Sequence, residues 1–327
     1  MKTDSKRRIL DLAQRPQGAS PHEIIQTLQI SAVAVHKHLR DLTANGLLQR
    51  RGSPPRVIYQ SAPAATPESA ILFPAEAQKT LASHFTYFTP TGHRIDGVEG
   101  FLSFLKNTQQ DKAPLEGAIE YQRIVQEADK FRASTGLIDS TAKIKGTFEE
   151  CFLERLYYSD FYSLSKYGKT RLGQYLLHGK SGQNKRLIRS IAEMTKSHVE
   201  IIITEHRIEA VAFAPHSIPR TLQFLKEYRR LLAVRLPDIP LLKIFSGEVP
   251  IAQKSLSKLS ERIENARQTI YIKDLNFPYQ RILIIDDALG SGATMNEIAR
   301  KLHHPDRVVI GYAVVGSYKE FEVIREI

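Results

Sequence analysis

The chain has 327 residues, long enough for two or three domains with real cores, and its 42% apolar and 25% charged residues exclude a disordered chain. A single cysteine, Cys151, excludes a disulfide framework and a cysteine-built zinc site. A formal charge of +11 with a pI near 9.6 makes a polyanion the first partner class to examine.

The N-terminus, MKTDSKRRIL, has no apolar run for a signal peptide, and no window reaches the length of a membrane span. The expectation is a cytoplasmic protein with no membrane contact. Residues 1–60 carry ten Lys/Arg against four Asp/Glu. The spacing predicts a first helix over 5–14, ended near Pro16 and Gly18. Ser20-Pro21-His22-Glu23 reads as a capping box with proline at the first helical position. Ser31 is a second N-cap, opening a helix over 32–45 that Gly46 ends. Two short strands, LLQRR and RVIY, then flank Gly52-Ser53-Pro54-Pro55.

This order, and the string ISAVAVHKHLRDLTANGLLQRR, resembles the winged helix-turn-helix family. The resemblance implies a third helix in the DNA major groove and a basic wing on the phosphates. His36, Lys37 and Arg40 are then the exposed groove candidates, Arg50, Arg51 and Arg56 the phosphate contacts, and Val35, Leu39 and Leu42 the core face. A homodimer reading paired half-sites would follow; protein docking or dimerisation is the alternative use of this fold.

SAPAATPESA, residues 61–70, reads as a linker. Residues 71–197 look mainly helical, with Tyr121, Ile124, Val125, Ala128 and Phe131 as a core stripe. Between 161 and 192 there is no Asp or Glu. Lys166, Lys169, Arg171, Lys180, Lys185, Arg186 and Arg189 are interleaved there with Tyr162, Tyr167, Tyr175 and His178. Cations between aromatic planes suit single-stranded nucleic acid, where bases stack; a solvated helix pair with half-buried tyrosines is the other reading.

From about 198 the texture changes. VEIIIT, IEAVAFA, LLKIF, RILIID and RVVIGYAVVG alternate with helical segments, which predicts a parallel α/β sheet over 198–327. The strongest signal is RILIIDDALGSGAT, residues 281–294. A buried strand ends in two carboxylates, and a small-residue loop then opens a helix. Open α/β sheets bind ligands at such carboxyl ends, and the loop amides with the helix N-terminus can cradle a phosphate. It matches neither GxxxxGK[ST] nor GxGxxG.

That segment resembles the phosphoribosyl-diphosphate motif of type I phosphoribosyltransferases. The resemblance implies that Asp286 and Asp287 bind the ribose 2′- and 3′-hydroxyls, and that Gly290, Ser291, Gly292, Ala293 and Thr294 hold the 5′-phosphate. Pro215, His216 and Ser217 stand where the family's diphosphate loop does. Gln253, Leu256, Arg262 and Asn265 resemble the Q-x-x-L…R-x-x-N pattern of the ComF branch. By the same resemblance Mg²⁺ arrives with the ligand, and Arg220 and Lys254 are the cations for the diphosphate. The expected architecture is multi-domain α/β: an N-terminal winged helix, a helical middle and a phosphoribosyltransferase-like sheet flanked by helices. No residue stands out as a general base. Three functions therefore stay open: a DNA-binding regulator responding to phosphoribosyl diphosphate or a related nucleotide, a catalytically active antiphage or toxin effector restrained by nucleic acid, as in similar retron-type fusions, and a ComF-like DNA-uptake accessory.

Overall fold

The computed structural model describes residues 2–44, 47–53, 55–61, 73–111, 113–216, 220–245, 247–249, 251, 253–274 and 276–318. The chain divides into two compact units, 1–72 and 73–327.

The first unit is built from α1 (Lys2–Ala13), α2 (Pro21–Leu28), α3 (Ala32–Ala44) and a hairpin of β1 (Leu48–Ser53) and β2 (Arg56–Ser61). Ser20 Oγ accepts from the Glu23 amide at 3.1 Å, with Pro21 opening the helix. The Glu23 carboxylate holds Arg15 at 2.8 Å, so only one half of the expected capping box forms. Ser31 Oγ accepts from the Ala34 amide at 3.3 Å. Val35, Leu39 and Leu42 pack with Ile9, Ile24 and Leu48 into one core. The α1–α2 turn is stitched to the hairpin by two hydrogen bonds between the Ala19 and Tyr59 backbones. The expected helix end at Gly46 lies outside the described residues.

The second unit begins with α4 (Ala75–His84), a small hairpin of β3 (Thr86–Phe88) and β4 (Arg94–Asp96), α5 (Gly97–Asn107) and α6 (Pro114–Asp129). There follow β5 (Ile138–Asp139), α7 (Thr141–Thr147), β6 (Arg155–Phe161), α8 (Arg171–Ser181), α9 (Lys185–Glu205), β7 (Ala210–Phe213) and α10 (Phe224–Leu232). β8 (Leu241–Lys243), α11 (Leu259–Thr269), β9 (Ile270–Ile272), β10 (Arg281–Leu289), α12 (Ala293–Leu302) and β11 (Val308–Gly316) complete it. A five-stranded sheet runs β5-β6-β11-β10-β7, parallel except for β5, and β8 with β9 forms a separate antiparallel pair. The central strands are apolar on both faces, as a doubly covered parallel sheet requires. Ile282 and Ile284 face one core, Leu283 and Ile285 the other.

Three expectations need correction. The boundary at 197/198 falls inside α9, and the middle region supplies β5 and β6 to the sheet. Residues 73–197 and 198–327 therefore share one compact unit. VEIIIT is the end of α9 rather than a strand: Ile188, Ile191, Thr195, Val199 and Ile202 are buried at helical spacing, and that packing overrides β-branched propensity. The stripe on α6 holds at Tyr121, Val125 and Ala128, but Phe131 lies beyond the helix end and is 59% exposed, because the helix stops at Asp129. Among the described residues no helix is long and apolar enough to cross a membrane.

Candidate functional site

The two carboxylates at the end of β10 are met from two directions. Lys180, in the last turn of α8, sets its ammonium 2.7 Å from Asp287, with both side chains mostly buried. Asp286 accepts the Asp287 amide at 2.7 Å. Burial, reinforced by the charge on Asp287, pushes the Asp286 carboxyl up to about 7, against the pull of Lys180 and Lys243. Lys243, on β8, is brought down to about 8 by burial despite the attraction of Asp286, and donates to Asn265 at 3.4 Å. For both groups desolvation outweighs their mutual attraction, the signature of a charge pair removed from water.

The loop after β10 is shaped by one backbone angle. Gly292, the residue before α12, has φ of 79°, and a Cβ there would lie 3.0 Å from Ile144 Cδ1. The position has no side-chain cap. The first-turn amides of α12 have no partner within the helix, although the Ala293 amide points to Ser291 Oγ at 3.4 Å. Ser291, Gly292 and Ala293 are buried, Gly290 and Thr294 half-buried. Oriented amides at a helix start, beside small residues that admit close approach, suit an anion.

A cavity of ≈ 630 Å³ joins these parts, lined by Asp286, Asp287, Lys180 and the 290–294 loop. It reaches Pro215 and His216 after β7, with Arg220 beside them. Arg220 donates to the Lys180 carbonyl at 2.8 Å, closing the end of α8, so part of the expected diphosphate cation is committed to structure. Ser217 and the side chain of Lys254 lie outside the described residues. The Q-x-x-L…R-x-x-N residues interlock: Gln253 donates to the Arg262 carbonyl at 2.9 Å, Arg262 to the Leu256 carbonyl at 2.9 Å, and Asn265 to the Ile251 carbonyl at 3.4 Å. Gln253 and Arg262 also line the cavity.

Sequence reasoning missed Lys180 and Lys243 as partners of the carboxylates. Lys180 is visible only as one more cation of the 161–192 stretch, in a region read as a separate domain. Lys243 sits in LLKIF, where nothing local marks it.

In the first unit His36, Lys37 and Arg40 are exposed on α3, and Arg50, Arg51 and Arg56 on the hairpin. Of the two readings of the 161–192 stretch, the tyrosines fit the helix pair rather than an aromatic platform. Tyr162, Tyr167 and Tyr175 are buried in the cores, because α8 and the turn before it pack against the sheet and α6. Arg171 donates to Thr86 Oγ1 at 3.0 Å and to the Ala82 and Phe85 carbonyls, which ties it to the end of α4. Lys166 pairs with Glu120 at 2.8 Å, and Lys169 lies over the Tyr162 ring. Lys185 and Arg186 are exposed at the start of α9. Cys151 is half-buried, its thiol raised by burial. Among the described residues no three His, Cys, Asp or Glu side chains cluster as metal ligands.

No family model matches the chain, and no curated protein matches it. Among solved structures, an O-methyltransferase family protein from Burkholderia thailandensis is similar at 12% identity over 94% of this chain and 74% of its own. The TM-score of 0.18 is too low to argue fold or chemistry from it.

Proposed function

We propose that this is a nucleic-acid-binding regulator whose second unit binds phosphoribosyl diphosphate or a related nucleotide. The observation that carries the reading is the pairing of Asp286 and Asp287 with the Gly292-dependent loop around one cavity. Carboxylates beside an amide cradle suit a sugar hydroxyl pair and a phosphate on the same molecule. This supports reading 73–327 as a type I phosphoribosyltransferase-like unit of ComF type. Three helices followed by a hairpin, with Lys37, Arg40, Arg50, Arg51 and Arg56 exposed on the third helix and the hairpin, support reading 1–72 as a winged helix. Asp286 and Asp287 offer the hard carboxylate oxygens that Mg²⁺ takes. Bound with the ligand, the ion would neutralise charge on a diphosphate. Lys180 and Arg220 are the protein's own cations at that place, and the 290–294 amides orient the phosphate. A cytoplasmic setting accords with the lone half-buried cysteine.

A second reading, a catalytically active transferase acting as a defence effector, is favoured by one observation. Asp286 lines the cavity and its carboxyl is pushed up to about 7 by burial and by the charge on Asp287, so the cavity holds a group able to exchange a proton at working pH. The deciding experiment measures pyrophosphate release from phosphoribosyl diphosphate with Mg²⁺, with and without nucleic acid, beside calorimetric binding. The regulator reading expects Mg²⁺-dependent binding, lost in Asp286→Asn/Asp287→Asn, without release. Release that the double variant abolishes makes the chain an enzyme. Absence of both binding and release overturns both readings.

A further inference from the structure

A sugar phosphate leaves part of the cavity unused. Besides the carboxylates and the loop, Phe213, Leu225, Ile239 and Leu241 line it, an apolar wall of the kind that takes a base. The lining then continues outward in positive charge. Lys226 and Arg229 of α10 belong to it, and α10 packs on α9, where Lys185, Arg186 and Arg189 are exposed in the first two turns. Lys185 and Arg189 both act on Glu227, so these helices present their charges on one surface. Two of the nearby carboxylates are already taken, Glu227 by Arg230 at 2.6 Å and Asp238 by Arg229 at 2.8 Å, while Glu193, one turn after Arg189, is exposed. Lys185, Arg186, Arg189 and Lys226 have no carboxylate within ion-pair distance among the described residues, although Lys185 and Arg189 feel the charge of Glu227.

Lys180 adds a third observation. Its ammonium lies 2.7 Å from Asp287 and offsets part of the negative charge of the carboxylate pair. An ammonium has three donors, so it can stay on Asp287 and also meet a phosphodiester on the neighbouring sugar oxygen. We propose that the cavity takes the 5′-phosphorylated terminal nucleotide of a single nucleic-acid strand, whose following phosphates run over α10 and the start of α9. This rests on the reading of the 290–294 loop as a 5′-phosphate cradle. Loop, apolar wall and basic face then hold phosphate, base and backbone of one molecule. A duplex does not fit the same description, because its terminal nucleotide is stacked and paired and must be unpaired to enter a cavity.

The test is fluorescence anisotropy on the full chain with a labelled oligothymidylate of about ten nucleotides, 5′-phosphorylated or 5′-hydroxyl. The phosphorylated strand should bind about tenfold tighter, the increment of a well-held phosphate group. Gly292→Ala should remove that preference, and so should millimolar thymidine 5′-monophosphate added to the parent protein, which needs no variant to fold. Arg186→Glu/Arg189→Glu should weaken both strands and flatten the salt dependence. Equal affinity for the two ends in the parent protein overturns the inference, as does a double variant with unchanged affinity. Calorimetry with phosphoribosyl diphosphate and Mg²⁺ separates the failures. If that ligand binds without any end preference, the strand-end inference alone falls; if neither binds, the phosphate-site reading falls with it.

Discussion

Asp286 is held protonated to about 7 by burial and by the charge on Asp287, whereas an unfolded aspartate titrates near 3.9. The folded state therefore binds that proton more tightly than the unfolded state. This contribution to stability is complete below about pH 4 and is lost as pH rises through about 7. Asp286→Asn should then melt above the parent at pH 8, by roughly 2–4 °C for each kcal/mol recovered, with the gap closing toward pH 4. An unchanged or lower Tm at pH 8 would mean that Lys180 and Lys243 already compensate the charge. Ligands that need the ionised carboxylate should gain about tenfold in affinity per pH unit up to about 7 and level off above it. Gly292 carries a different constraint, with φ of 79° and Ile144 Cδ1 3.0 Å from an added Cβ. Gly292→Ala should cost about 1–2 kcal/mol, read as a lower denaturation midpoint. Gly146→Ala is the control: it lies in α7, with nothing within 4 Å of an added Cβ, and should be neutral or slightly stabilising.

At the scale of elements, local signals and long-range packing divide what the sequence shows. Ser20-Pro21 and Ser31 mark helix starts because a cap is a contact between neighbours in the chain. The carboxylate strand and its loop are legible for the same reason, since strand, turn and helix start are contiguous. VEIIIT misleads because its β-branched side chains are placed by a helix face that begins at Ile188. β6 lies in a region of helical texture, and it is pairing with β11 and β5 that makes it a sheet strand. The basic stretch leaves two readings open because composition does not say which way a side chain points. Arg171 tests the choice between them. Its bonds to Thr86 Oγ1 and the Ala82 and Phe85 carbonyls join α8 to the end of α4. Arg171→Ala should cost about 1.5–3 kcal/mol in chemical denaturation and leave the salt dependence of nucleic-acid binding unchanged. A changed salt slope with unchanged stability would return Arg171 to the nucleic-acid surface.

At the scale of the molecule, two compact units share one chain, and a ligand-responsive regulator requires them to be thermodynamically coupled. Coupling is reciprocal: a ligand of 73–327 that changes the nucleic-acid affinity of 1–72 must have its own affinity changed by the same factor. That equality needs no knowledge of how the units are arranged. It predicts that saturating phosphoribosyl diphosphate with Mg²⁺ shifts duplex-DNA affinity by about 5–150-fold, the usual span of such couplings, and that saturating DNA shifts ligand affinity equally. Arg50→Glu/Arg51→Glu should weaken DNA binding and lessen its salt dependence, since a phosphate without its arginine keeps the counterion that binding would release. The ligand affinity of that variant without DNA should stay at the parent value, because both arginines are exposed on the hairpin of the first unit. Calorimetry for the ligand and anisotropy for DNA, in the same buffer and salt, provide both sides of the equality. A DNA affinity indifferent to saturating ligand would remove the regulator reading even where both ligands bind. The second unit would then stand as an enzyme or a strand-end binder carried on a DNA-binding module.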